Sequence, residues 1–343
     1  MRFPGFGGEW KTLFIDDVCP EFQSGKNIKA ENIKSEGLYP VYGGNGLRGY
    51  TDIYNHDGTY VLIGRQGALC GNVRLVEGRN YITEHAIAVS SSNEHCIYFL
   101  YYLFYKMNLG QYSDQSAQPG LAVNKLLRLK LHIPLKDEQT KIAKILTLLD
   151  TRIATQNKII EKLESLIKGL CQKLTLQGDS NTTLNECLEC YSSTLQENSV
   201  FEVGDFPVYG ATGVCGYTNT PEVNRDSILI IKDGASVGAT YYASGKYSAI
   251  GTLHSLVAKK GYSLRYLYYC LKVFNFAPYR TGLAIPHIYF KDYGKAQIWC
   301  PHFEEQCLIA SALEKVEQKI ATEKSLLEQL YSQKRFLLQE MLI

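Results

Sequence analysis

The sequence predicts an α+β protein made of one unit repeated in tandem, each copy a compact mixed region followed by a long helix. Two observations carry this: an internal repeat at an offset of 167 residues within a chain of 343, and two proline-free heptad stretches at the same offset. The segment from Tyr39 to Asp52 (YPVYGGNGLRGYTD) returns from Phe206 to Asn219 (FPVYGATGVCGYTN). Val61 to Gly67 (VLIGRQG) returns as Ile228 to Gly234 (ILIIKDG), and Gly71 as Gly238. Small insertions and deletions are expected beyond that point. The register is recovered where Pro134, Glu138, Gln139, Ile142 and Ala143 match Pro301, Glu305, Gln306, Ile309 and Ala310.

In the first helical stretch Ile142, Leu146, Leu149, Ile153, Gln156, Ile160, Leu163, Ile167, Leu170 and Leu174 alternate in steps of four and three. The second gives Ile309, Leu313, Val316, Ile320, Glu323, Leu327, Leu330, Lys334, Leu337 and Met341. Such a sustained seam is the mark of a coiled coil, and two matched seams in one chain are expected to pair with each other. About 38 helical residues span roughly 57 Å. In the mixed regions, Tyr60 to Ile63 and Ser227 to Ile231 read as strands ending at glycine-containing turns. Ile97 to Met107 and Leu264 to Val273 read as helices. Tyr98, Tyr101, Tyr102 and Tyr105 fall at helical spacing, which fits an aromatic core face better than a base-stacking platform.

Composition bounds the function. The formal net charge is +2, so the chain is not coated with positive charge, although a local basic groove is enough for nucleic acid. No run of about 18 apolar residues marks a membrane span. The N-terminus lacks the layout of a signal peptide, and the ten cysteines are expected to be reduced core thiols in a cytoplasmic protein. Asn181 to Thr183 matches a glycosylation sequon, a chance match without export.

Two motifs point to catalysis or cofactors, and each fails in context. Gly44 to Gly49 fits the dinucleotide fingerprint, but the turn-rich segment from Tyr50 to Gly58 follows where a helix should open. Its glycines suit a tight loop with positive φ. Cys187 and Cys190 form a lone C-x-x-C with no second pair for zinc. No Asn-Pro-Pro-Tyr type of motif and no phosphate loop is present, and the seven histidines lack metal-ligand spacing. No cofactor and no metal are expected.

The opening Arg2 to Trp10, the paired Pro-Val-Tyr-Gly segments and Thr83 to Val89 (TEHAIAV) together resemble the specificity subunits of type I restriction–modification systems. So do the helix entries Ile133 to Gln139 (IPLKDEQ) and Cys300 to Gln306 (CPHFEEQ). The resemblance covers essentially the whole chain. It implies two target-recognition domains, at 1–135 and 178–302, and two spacer helices, at 136–177 and 303–343. The helices would pair as an antiparallel coiled coil with pseudo-two-fold symmetry. It also implies a non-catalytic subunit that binds double-stranded DNA at a bipartite, asymmetric site, one half per domain. Two modification subunits and the restriction subunits would be its partners. A recognition module serving a different restriction–methylation enzyme is the alternative. A redox or nucleotide-dependent enzyme built on the C-x-x-C or glycine loop is a second, marked by a bound metal or cofactor.

DNA contacts need Arg or Lys for guanine, Asn or Gln for adenine, and cations or hydroxyls for phosphate. The candidates are Tyr42, Asn45 and Arg48 in the glycine loop, Arg65 and Gln66 at the strand-end turn, and His85. In the second copy they are Tyr209, Thr212, Lys232, Asp233 and His254. Arg65 and Lys232 keep positive charge at one register, which suits a phosphate contact. Tyr42 and Tyr209 share a setting that favours a core role. His85 and His254 are expected at similar places beside the central strands. Helix pairing is assigned to Ile142, Leu146, Leu149, Ile153, Ile160, Leu163, Ile309, Leu313, Val316, Ile320, Leu327 and Leu330.

Overall fold

The structure, a computed structural model, describes residues 5–114, 120–196, 198, 200–282 and 284–342. Arg2, Phe3 and Pro4 of the opening motif lie outside the described residues. The chain divides into two compact units, Met1–Asn157 with Leu326–Ile343, and Lys158–Ser325.

The first unit runs β1 (Lys11–Phe14), α1 (Ile15–Val18), β2 (Phe22–Ser24), β3 (Tyr39–Gly43), β4 (Gly46–Thr51), β5 (His56–Asp57), β6 (Tyr60–Gly64), β7 (Val73–Val76), β8 (Arg79–Ile82), β9 (Ala86–Val89), α2 (Ile97–Met107), α3 (Val123–Leu127) and β10 (Lys130–Ile133). The long helix α4 (Lys136–Thr175) starts in this unit. Two four-stranded sheets form, ordered β2-β9-β6-β7 and β4-β3-β8-β5. The central strand β6 alternates between two cores, as a period of two requires. Val61 and Ile63 face a core shared with α2 and α4, while Leu62 packs with Val76, Ile82, Ala86 and Ala88.

The second unit repeats this with β11 (Thr182–Thr183), α5 (Leu184–Cys187), β12 (Leu188–Ser192), β13 (Phe206–Gly210), β14 (Gly213–Thr218), β15 (Ser227–Ile231), β16 (Thr240–Ala243), β17 (Ser248–Ala249), β18 (Leu253–Ala258), α6 (Leu264–Val273), α7 (Phe290–Tyr293), β19 (Gln297–Ile298) and α8 (Phe303–Met341). Its sheets are β12-β18-β15-β16 and β14-β13-β17. Ile228 and Ile230 face the helix-side core, and Leu229 and Ile231 face the second core.

The register corrects one expectation. No insertion or deletion follows Gly71. Val41 pairs in parallel with Tyr81, and Val208 with Ser248. Ile63 pairs with Ile87, and Ile230 with His254. All these equivalences keep the 167-residue offset, so the repeat is continuous from β3 into the long helices. Side-chain identity drifted there while backbone pairing held, and identity was the only signal the sequence offered.

The recurrent Pro…Glu-Gln entry has a structural reason. Gln139 is fully buried at the start of α4. Its Oε1 accepts from the backbone N–H of Cys96, which precedes α2, at 2.8 Å, and its Nε2 donates to the Pro134 carbonyl at 2.9 Å. Gln306 does the same with Ser263 N–H and the Pro301 carbonyl, both at 2.8 Å. A helix N-terminus leaves N–H groups without partners. Each glutamine satisfies one of them and ties the long helix to the globular part of its unit.

The heptad positions of both helices are buried or half-buried. In the first unit Ile142 and Leu146 share a core with Leu338 and Met341, and farther along Leu149 and Ile153 pack with Leu330. In the second unit Ile167 and Cys171 share a core with Ile309 and Leu313, and Glu164 pairs with Lys324 at 2.6 Å. Within each unit one helix ascends in sequence as its partner descends, so the pairing is antiparallel. Gln156 and Glu323, polar members of the seams, are buried at 6% and 8% exposure.

Candidate nucleic-acid interface

The glycine segment from Gly44 to Gly49 is the β3–β4 hairpin and opens no helix. Gly43 pairs with Gly46, whose φ is +103°, a conformation that favours glycine. The tip lies against the turn after β6 and the segment before β9. A Cβ on Gly44 would sit 2.7 Å from the His85 carbonyl oxygen and 3.2 Å from that of Gln66. Glycine at 44 therefore permits the approach that gathers the first-unit candidates.

Asn45 and Arg48 are exposed on this hairpin. Arg65 is half-buried. Its N–H donates to the His85 carbonyl at 2.9 Å, and its own carbonyl accepts from Leu121 N–H at 2.9 Å. Gln66 Oε1 lies 3.1 Å from His85 Nδ1, and His85 Nε2 lies 3.2 Å from Glu84. Tyr42 is half-buried against the second core, and its carbonyl accepts from Thr83 N–H at 2.8 Å. The structure thus brings Asn45, Arg48, Arg65, Gln66 and His85 to one edge, with Tyr42 beneath them.

The second unit builds the same frame with other chemistry. Thr212 is exposed at the β13–β14 hairpin. Lys232 N–H donates to the Thr252 carbonyl at 3.0 Å, and the Lys232 carbonyl accepts from Ile288 N–H at 2.9 Å. Asp233 Oδ1 lies 3.3 Å from His287 Nδ1. Tyr209 is half-buried, with its ring 5.5 Å from that of Tyr247 in edge geometry.

His254 is a correction. Thr252, not His254, is the counterpart of His85, because both carbonyls receive the same backbone bond from Lys232 and Arg65. His254 stands on β18 opposite Ile230, at 6% exposure, with Nδ1 3.0 Å from the Tyr293 hydroxyl. Burial pushes its pKa down to about 4. A neutral, enclosed imidazole offers nothing to a surface ligand, and His254 leaves the candidate set.

Several participants were missed. Arg74 on β7 places its guanidinium beside Gly46, 2.9 Å from where a Cβ would sit. Tyr241 is its counterpart, donating to the Ala211 carbonyl at 3.3 Å. Thr252 and His287 belong to the second edge. Carrying the 167-residue offset unbroken through β7 would have found Arg74 and Tyr241.

Of the helical tyrosines, Tyr102 is buried and Tyr101 packs against the core, as expected, whereas Tyr105 is half exposed. Cys187 has Cys300 rather than Cys190 as its thiol partner, and that contact pushes its pKa down. Among the described residues no group of His, Cys, Asp and Glu is arranged to hold a metal ion, and no helix is long and apolar enough to cross a membrane.

The family model for the type I restriction modification DNA specificity domain matches residues 7–165 and 191–332. The chain belongs to this family. The type I specificity family match falls once on each repeat, as the tandem fold requires. A type I restriction enzyme specificity subunit of Escherichia coli, EcoprrI, is 46% identical over 170 residues, which take in 48% of this chain and 40% of that one. The chain thus spans less than half of that relative. The MjaVIII specificity subunit of Methanocaldococcus jannaschii is 29% identical over 196 residues, 50% of this chain and 43% of its own. The crystal structure of a type I restriction–modification S subunit from M. genitalium superposes with a TM-score of 0.74 at 21% identity, covering 100% of this chain and 99% of that one. That likeness establishes the specificity-subunit fold.

Proposed function

We propose that this chain is the non-catalytic, sequence-reading subunit of a type I restriction–modification complex. Each unit reads one half of a bipartite, asymmetric site on double-stranded DNA, and the paired helices set the distance between the halves. The observation that supports this most is the repeated edge. The same backbone frame, with Arg65 and Lys232 bonded identically to His85 and Thr252, carries different side chains in the two units. One frame with two side-chain sets is what a reader of two unlike half-sites needs. Two equivalent units, each ending on a matched helix, suit the two strands of duplex DNA. On this reading the recognition domains are 1–135 and 178–302, and the spacer helices 136–177 and 303–343.

The chemistry belongs to the partners: two modification subunits that methylate adenine, and restriction subunits that cut. The complex works in the cytoplasm. The test is to co-express the chain with its modification partners in a methylation-free host and map modified adenines across the genome. One split motif with two different halves is expected. A single contiguous motif would overturn the bipartite reading.

A further inference from the structure

The two candidate edges differ in charge. In the first unit Arg48, Arg65 and Arg74 lie around the hairpin tip. In the second, the equivalent positions hold Cys215, Lys232 and Tyr241. Some basic side chains elsewhere on the first unit are paired: Lys34 with Asp52, Arg79 with Asp57 and Lys125 with Asp114. Among the described residues, none of the three arginines at the tip is paired with a carboxylate. Glu84 is the acidic neighbour of this edge, and its Oε1 is engaged by His85.

Two of these arginines lie against glycines. The Arg48 stem runs past Gly43, its Cδ 2.8 Å from where a Cβ would sit, and the Arg74 guanidinium fills the equivalent place beside Gly46. Gly43 and Gly46 are cross-strand partners, so both arginines are stationed at one rung of the hairpin, and both are exposed. An independent observation points the same way. The Thr83 hydroxyl, fully buried and 3.3 Å from the same Gly43 position, has no hydrogen-bond partner. Buried polar groups are normally satisfied, so the unsatisfied Thr83 hydroxyl beside the Arg48 stem fits an edge completed by a polar ligand.

We propose that the Arg48–Arg74 pair supplies the guanidinium that reads a guanine in the half-site held by the first unit, and that the second unit reads its half-site without this contact. The inference rests on the function proposed above and names the side chains that make the two half-sites differ. A guanidinium donates two parallel hydrogen bonds to the O6 and N7 of guanine in the major groove. Neither a cysteine nor a tyrosine offers that geometry, so the second unit cannot share the preference by this route.

The test uses the full chain assembled with its modification partners. Arg48→Lys, Arg74→Lys, Arg48→Ala and Arg74→Ala are compared with Tyr241→Phe by genome-wide adenine mapping. Binding to duplexes carrying each base at the affected position is measured across a salt series. The lysine variants keep the charge and lose the two-pronged donor. They are expected to lose roughly five- to 150-fold in discrimination at one guanine of one half-site, with the salt dependence retained. Tyr241→Phe is expected to leave that half-site unchanged. All sites are exposed, so unchanged thermal unfolding confirms that the variants fold. Unaltered base preference in every arginine variant would overturn the proposal. So would alanine variants that weaken binding equally on all sequences while the lysine variants behave as wild type, since that marks phosphate contacts. A wild-type complex that modifies no split site overturns the functional reading itself, and is seen before any variant is compared.

Discussion

The Tyr102 hydroxyl donates to Asp150 Oδ2 at 2.8 Å, and 167 residues later the Tyr269 hydroxyl donates to Glu317 Oε2, also at 2.8 Å. Both tyrosines are buried, at 2% and 0% exposure. Each bond runs from the short helix behind the sheet to the long helix of the same unit, and each carboxylate is also paired with a lysine, Lys334 and Lys272 respectively. Hydrogen bonds to charged groups contribute about 1.5–3 kcal/mol. Tyr102→Phe and Tyr269→Phe are each expected to destabilise the chain by that amount, measured by urea unfolding. A loss below about 0.5 kcal/mol in both would show that the latch is dispensable.

Gln139 and Gln306 make a sharper prediction, because one side chain serves two backbone groups. Gln139→Ala leaves the Cys96 N–H and the Pro134 carbonyl without their partner, at a cost of about 2–4 kcal/mol. Amide exchange is expected to quicken first in the opening turn of α2, near Cys96 to Leu100. Uniform acceleration across the first unit, with no local excess, would contradict the role given to this residue.

His254 gives a pH dependence with a definite sign. Its native pKa is about 4, below the ordinary 6.5 expected for the unfolded chain. The unfolded state therefore binds the proton first as pH falls. Stability from this group is complete above about pH 6.5, declines between about 6.5 and 4, and levels off below. The total is about 3 kcal/mol. His254→Gln, which keeps a polar partner for Tyr293, is expected to flatten this part of the acid profile in urea titrations at pH 7.5 and pH 5. Equal acid losses in both proteins would show that other groups govern the decline.

Arg65 and Lys232 are expected to contact phosphate. Arg65→Ala should weaken binding on every DNA sequence alike and reduce the slope of log affinity against log salt by about one. A relaxed preference at one base, with the slope retained, would instead make Arg65 a base reader.

The helices are expected to act as a ruler. One heptad inserted after Lys158 and another after Ser325 keeps both seams in phase and adds roughly 10 Å. The gap between half-sites should lengthen by up to about three base pairs, with both halves unchanged in the methylation map. Altered half-site bases at an unchanged gap would mean that the helices belong to the reading surface.

The sequence by itself determined the repeat, the two long helices with their seams, the central strands and the short helices behind them. These follow from periodicities of 3.5, 3.6 and two residues, which are local and survive change in side-chain identity. The glycine loop, too, was legible, because only a chain turning with positive φ needs glycine at position 46. Tertiary structure decided what converges. That Arg74 meets the hairpin tip, that Thr252 rather than His254 stands where His85 stands, and that Gln139 reaches back to Cys96 depend on strand register and on contacts between residues far apart in the chain. A shift of one residue along a strand turns a side chain from surface to core, and His254, two positions beyond Thr252, is enclosed because its strand is covered on both faces.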